Sequence, residues 1–124
     1  MILGLGTDLV ELDRFAAALE RQGEALLARL FTERERALLA GDPQLVRRAA
    51  ARFAAKEAAL KALGTGWGQG LGWHDVEVLG GRGEPPSLEL TGAARARLQA
   101  LGARNAHVSI THTETLASAT VILD

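Results

Sequence analysis

The chain has 124 residues and 13.1 kDa, with 14 Lys+Arg against 15 Asp+Glu and a formal net charge of -1, which allows one compact domain and argues against two. At 23% charged residues and three prolines the composition is that of a folded protein, which excludes intrinsic disorder and collagen-like repeats. Zero cysteines exclude a disulfide framework, a thiolate nucleophile and a Cys-bearing zinc site, and fit a cytoplasmic location; no stretch approaches the roughly 18 apolar residues of a membrane span, and no basic segment precedes the apolar N-terminus.

Residues 2 to 10 alternate with a period of two, Gly4, Gly6, Asp8 and Val10 on one face and Leu3, Leu5, Thr7 and Leu9 on the other. This reads as a strand that delivers Asp8 near its C-terminal end, with glycines that permit close approach of a backbone or a ligand. From about 13 to 30 the period lengthens to that of a helix: Leu12, Phe15, Leu19, Leu26 and Leu30 form one stripe, Arg14, Ala18, Arg21 and Ala25 the neighbouring face, and Gly23 either weakens the middle or breaks the helix there. Thr32 with Glu35 three residues on is a capping-box pattern for a short helix to about Ala40.

A long helix is expected from about Pro43 to Leu63, ended by Gly64 in the C' position. Glycine at every second position from Gly64 to Gly72 reads as a flexible loop. Strands are expected over 75 to 79 and 87 to 90, joined by the 80 to 86 turn. A helix capped by Thr91 runs to about Leu101, and strands cover 107 to 113 and 116 to 123. The sum is one α+β domain over residues 1 to 124.

Of the apolar residues, 23 are alanine, which buries little surface per residue, so a chain this small is expected to have a partner subunit. The net charge hides three unequal blocks: residues 1 to 13 carry -3, 14 to 61 carry +4 and 62 to 124 carry -2. The middle is a candidate basic surface, or simply solvated helix faces.

The long helix carries the most chemical information. At about 100° per residue, Leu45, Val46, Ala49, Phe53, Leu60 and Leu63 fall in one apolar arc. Lys56 projects into that arc and Glu57 sits at its margin. Burying them unpaired is costly, so a carboxylate, a metal or a phosphate should compensate them, unless Lys56 snorkels and Glu57 pairs with Lys61. Arginine occurs twelve times and lysine twice, and both lysines lie on this helix, where a compact ammonium suits phosphate oxygens. If Asp8 and Glu57 converge, they form a hard-oxygen site that favours Mg²⁺, completed by water and substrate phosphates, over zinc. There is no Walker A sequence, no complete dinucleotide fingerprint and no Ser-His-Asp ordering.

Four segments in order, Gly4-Leu5-Gly6-Thr7-Asp8-Leu9-Val10-Glu11, Phe31-Thr32-Glu33-Arg34-Glu35, the block from Arg52-Phe53-Ala54-Ala55-Lys56-Glu57 through Lys61-Ala62-Leu63-Gly64-Thr65-Gly66, and His107-Val108-Ser109-Ile110-Thr111-His112-Thr113, resemble the holo-acyl-carrier-protein synthase family. The resemblance implies an antiparallel sheet packed on a long central helix, and a 4'-phosphopantetheinyl transferase. Such an enzyme moves phosphopantetheine from coenzyme A to a serine of apo acyl carrier protein, releases adenosine 3',5'-bisphosphate and supports fatty acid biosynthesis. It further implies Asp8 and Glu57 as Mg²⁺ ligands and Lys61 facing the coenzyme's phosphates. Arg52, Gly64, His112 and Thr113 fall near the same ligand, and the protein is expected to be a homotrimer with sites between subunits.

Glu57, His112 or a metal-bound water remain open as the base that takes the serine proton. Arg14 and Arg21, seven residues apart, are expected to dock the acidic carrier. Two other classes compete with this reading. A coenzyme-binding module would keep the cations without transfer, and a nucleic-acid-binding protein is disfavoured by a pI of about 6.3 and few aromatics.

Overall fold

A computed structural model describes residues 1 to 66, 70 to 81 and 83 to 124. The loop and turn expected over 64 to 72 and 80 to 86 therefore include positions, Trp67 to Gln69 and Arg82, outside the described residues. The elements run β1 (Gly4–Glu11), α1 (Leu12–Gln22), α2 (Glu24–Leu30), α3 (Glu33–Leu39), α4 (Leu45–Leu63), a 3-10 turn (Trp73–Asp75), β2 (Val76–Gly81), β3 (Glu84–Leu90), α5 (Gly92–Ala100), β4 (Ala106–His112) and β5 (Leu116–Leu123). The α+β class and the sheet-on-helix arrangement hold.

Helix α4 is the axis of the molecule. Eight of its alanines, with Lys56, Leu60 and Leu63, are buried on all sides of the helix rather than along one stripe, the pattern of a helix enclosed by its neighbours. On one side lies the antiparallel sheet β1-β5-β4; on the other, Leu12, Phe15, Leu26 and Leu30 of α1 and α2, with Phe31 just after α2, close a second core. About a third of the alanines, eight of 23, thus let the sheet and helices approach one helix closely. Gly4 and Gly6 serve the same end, and what they admit is a backbone: a Cβ on Gly6 would collide with the Ala58 carbonyl and stand 2.6 Å from the Ala62 amide nitrogen.

The expected 13 to 30 helix is two helices. Gly23 breaks it at φ 58 and ψ -141, a conformation essentially reserved for glycine, and its N–H closes α1 on the Leu19 carbonyl at 2.7 Å. The capping box of α3 is present in both directions between Thr32 and Glu35. Thr91 stands at the N-cap of α5, but its side chain makes no capping bond. Strand β3 begins at Glu84 and so takes in Pro85 and Pro86, which read as turn residues in the sequence. A two-stranded ribbon with a bulge between Leu79 and Gly81 tolerates them.

The outer face of the three-stranded sheet is uncovered in the single chain. Leu5 and Leu9 are 63% and 62% exposed there, across β5 from Ser109 and Thr111 of β4. The inward residues of β4, Val108 and Ile110, pack on the core as the alternation predicts. His112 ends that strand exposed.

Candidate active site

Two residues along β1 match four residues along α4: Gly4 lies over Ala62 and Gly6 over Ala58. Two strand residues advance about 6.6 Å and four helical residues about 6 Å, so Asp8 arrives beside the next turn of α4, which ends at Glu57, and Lys61 reaches it from the turn that Gly6 covers. The Lys61 ammonium donates to Asp8 Oδ1 and to the Thr7 carbonyl oxygen, each at 3.0 Å. Its side chain is about half exposed and that of Asp8 largely covered.

Asp8, Glu57 and Lys61 line one groove of about 1060 Å³, and Arg14 and Arg21 of α1 stand on the same groove. The structure thus brings together five of the residues singled out from the sequence. Its apolar wall was not read from the sequence: the Phe53 ring lies 5.8 Å from that of Phe15 and 5.4 Å from that of Trp73, and all three line the groove. The signal available was that two of the chain's three phenylalanines fall on the apolar stripes of the two helices that meet there.

Arg52 and His112 lie elsewhere in the single chain, in a second pocket of about 190 Å³ with Arg48, Gly80 and Gly81. Arg52 is 8% exposed; its guanidinium donates to the Gly80 carbonyl at 2.9 Å, while its buried Nε has no hydrogen-bond partner among the described residues. Burial pulls its pKa down from its very high ordinary value and Glu35 opposes that. The volume of this second pocket is below the roughly 300–1,000 Å³ of ordinary ligand sites.

Gly64 lines neither pocket. It caps α4 at φ 78, where its N–H meets the Leu60 and Lys61 carbonyls. Thr113 holds the β4–β5 turn, its hydroxyl accepting from the amides of Leu116 at 3.0 Å and Thr115 at 3.2 Å. Lys56 finds its compensation in protein groups: its ammonium donates to Glu35 Oε1 at 2.7 Å, to the Trp73 carbonyl at 2.9 Å and to the Val76 carbonyl.

Oxygen donors from two carboxylates on an open groove suit a hard divalent cation that keeps water and phosphate oxygens as its other ligands. Among the described residues no cluster of three or more His, Cys, Asp and Glu could hold a metal by itself. No helix among them is long and apolar enough to cross a membrane.

Residues 4 to 113 match the family model described as the 4'-phosphopantetheinyl transferase superfamily. The chain is 52% identical over 124 residues to the holo-[acyl-carrier-protein] synthase of Solidesulfovibrio magneticus, covering 100% of this chain and 99% of that one. It is 47% identical to that of Koribacter versatilis with the same coverage. Among solved structures it is similar to the Neisseria meningitidis holo-[acyl-carrier-protein] synthase, with a TM-score of 0.89 and 30% identity over 100% of this chain and 99% of that one. The Bacillus anthracis enzyme, solved in complex with CoA (3',5'-ADP), gives 0.81 and 34% over 99% and 96%. The chain belongs to the 4'-phosphopantetheinyl transferase superfamily, as an enzyme of its holo-[acyl-carrier-protein] synthase family.

Proposed function

We propose that this chain transfers 4'-phosphopantetheine from coenzyme A to a serine of apo acyl carrier protein in the presence of Mg²⁺, releasing adenosine 3',5'-bisphosphate, in cytoplasmic fatty acid biosynthesis. The observation that carries this reading is the single groove in which Asp8, Glu57 and Lys61 meet beside Arg14 and Arg21.

Asp8 and Glu57 are the groups that would hold Mg²⁺, which when bound supplies positive charge to the coenzyme's pyrophosphate. Lys61, fixed by Asp8 and the Thr7 carbonyl, adds a point charge at the same place. The serine oxygen bonds to the phosphorus that carries pantetheine. The bond from that phosphorus to the bridging pyrophosphate oxygen breaks, and its electron pair leaves with adenosine 3',5'-bisphosphate. Within one chain the groove offers Glu57 to take the serine proton, whereas His112 stands at the second pocket.

That separation supports a homotrimer with sites between subunits. Arg52 and His112 of one copy, with Gly64 and Thr113 shaping the ends of α4 and β4, would complete the groove of the next. The uncovered Leu5 and Leu9 face supplies the apolar surface such an assembly buries. Arg14 and Arg21 are exposed on α1 at the rim, placed to receive an acidic carrier.

The test is Glu57→Gln, which keeps shape and removes charge. Transfer should fall at least about 100-fold and lose its dependence on Mg²⁺ concentration. Near-normal turnover with unchanged Mg²⁺ dependence would overturn the assignment.

A further inference from the structure

The proposed reaction makes no use of Lys56, the residue immediately before Glu57. Its side chain has no exposure, and neither does that of Glu35. An ammonium has three donors, and here all three are used, one on Glu35 and two on carbonyls of the segment 73–76. Glu35 is equally engaged: Oε1 also accepts the Thr32 amide at 3.1 Å, and Oε2 accepts the Val78 amide at 3.0 Å. Burial pulls the Lys56 pKa down while Glu35 holds it up.

A buried ion pair is a poor source of net stability, because well-packed apolar residues of similar volume commonly do as well or better. What this pair supplies is direction. It aims two hydrogen bonds from α4 at the short turn that carries Trp73, one of them at Trp73's own carbonyl. The same turn is fastened further along, where His74 Nε2 meets the Ala28 carbonyl at 2.9 Å and Asp75 Oδ2 accepts the Gly72 amide at 3.2 Å. Trp73 then faces Phe53, which projects from α4 one turn before Glu57.

We infer that Lys56, paired with Glu35, is a positioning residue for the transfer: it fixes the Trp73 backbone so that the aromatic wall of Trp73, Phe53 and Phe15 stands against the phosphopantetheine arm while Glu57 meets the pyrophosphate. The inference rests on the transferase reading above. The arm suits such a wall, since its dimethyl-bearing carbon offers apolar surface to the rings and its amides offer N–H groups to their faces. Placement matters because a displacement of about 1 Å in a positioning group can cost about 100-fold in rate.

The test uses a Trp67→Phe background, which leaves Trp73 as the one indole. In it, Glu35→Gln with Lys56→Met removes both charges together, and the Gln keeps an oxygen for the capping box. The expected result is a folded protein whose Trp73 emission moves to the red and is quenched more by acrylamide. Its kcat/KM for coenzyme A should fall at least about tenfold, while KM for the carrier stays within about twofold.

Trp73→Ala should reproduce the loss for coenzyme A. Unchanged emission and kinetics in the folded double variant would overturn the inference, and so would equal losses for both substrates. Should the double variant not fold, a kcat/KM for coenzyme A in Trp73→Ala equal to the parent's overturns it on its own. Absence of transfer by the parent chain would instead retire the transferase reading, whereas the emission shift reports on the Lys56 and Trp73 coupling without reference to activity.

Discussion

Gly6 lies directly against the backbone of Ala58, with no room between them for a side-chain carbon. That contact sets the height of β1 over α4, and so determines that Asp8, two residues on, meets Lys61. Gly6→Ala should therefore cost about 1–3 kcal/mol or more by urea denaturation and reduce activity beyond what the lost stability explains. Gly23→Ala, whose Cβ would enter open space, should show only the backbone cost of its positive φ.

The Lys61 to Asp8 ion pair separates function from stability. Lys61 is about half exposed, and pairs of that kind contribute below about 1 kcal/mol. Lys61→Ala should leave the unfolding midpoint nearly unchanged while kcat falls at least about tenfold. A large stability loss with unaltered kcat would assign Lys61 a purely structural role.

Arg14 is exposed on α1 where that helix lines the groove. Arg14→Glu should raise KM for the carrier protein several-fold and leave KM for coenzyme A unaltered, and the effect should shrink as salt is raised. Equal changes for both substrates would contradict a docking role.

The two pockets of the chain give a direct test of shared sites. Asp8→Ala and His112→Ala should each be inactive alone. Co-expressed, they should recover about a quarter of the wild-type activity, since a site built from two neighbours in a ring is intact when each contributes its unaltered half. No recovery in mixed oligomers would place Asp8 and His112 in one site of one chain.

Much of this was legible in the sequence because it is local. The Thr32 and Glu35 box, the break at Gly23 and the Gly64 cap follow from backbone preferences that no tertiary contact overrides. The convergence of Asp8 with Glu57 and Lys61 was legible only as a condition, since nothing in the alternation of residues 2 to 10 says which element the glycine face will touch. The partner of Lys56 was not legible: helical spacing shows that a charge enters an apolar arc, but Glu35 lies 21 residues away and is brought there by the α3 to α4 turn. Pro85 and Pro86 misled for a similar reason, because their confinement to turns lapses in a two-stranded ribbon with an open edge.

The central claim is tested most directly by the intact mass of an apo acyl carrier protein after incubation with this chain, coenzyme A and Mg²⁺. The carrier should gain the mass of one phosphopantetheine group, at the serine that accepts it. A carrier of unchanged mass, in a mixture where the chain binds coenzyme A, would contradict the claim and leave a coenzyme-binding module in its place.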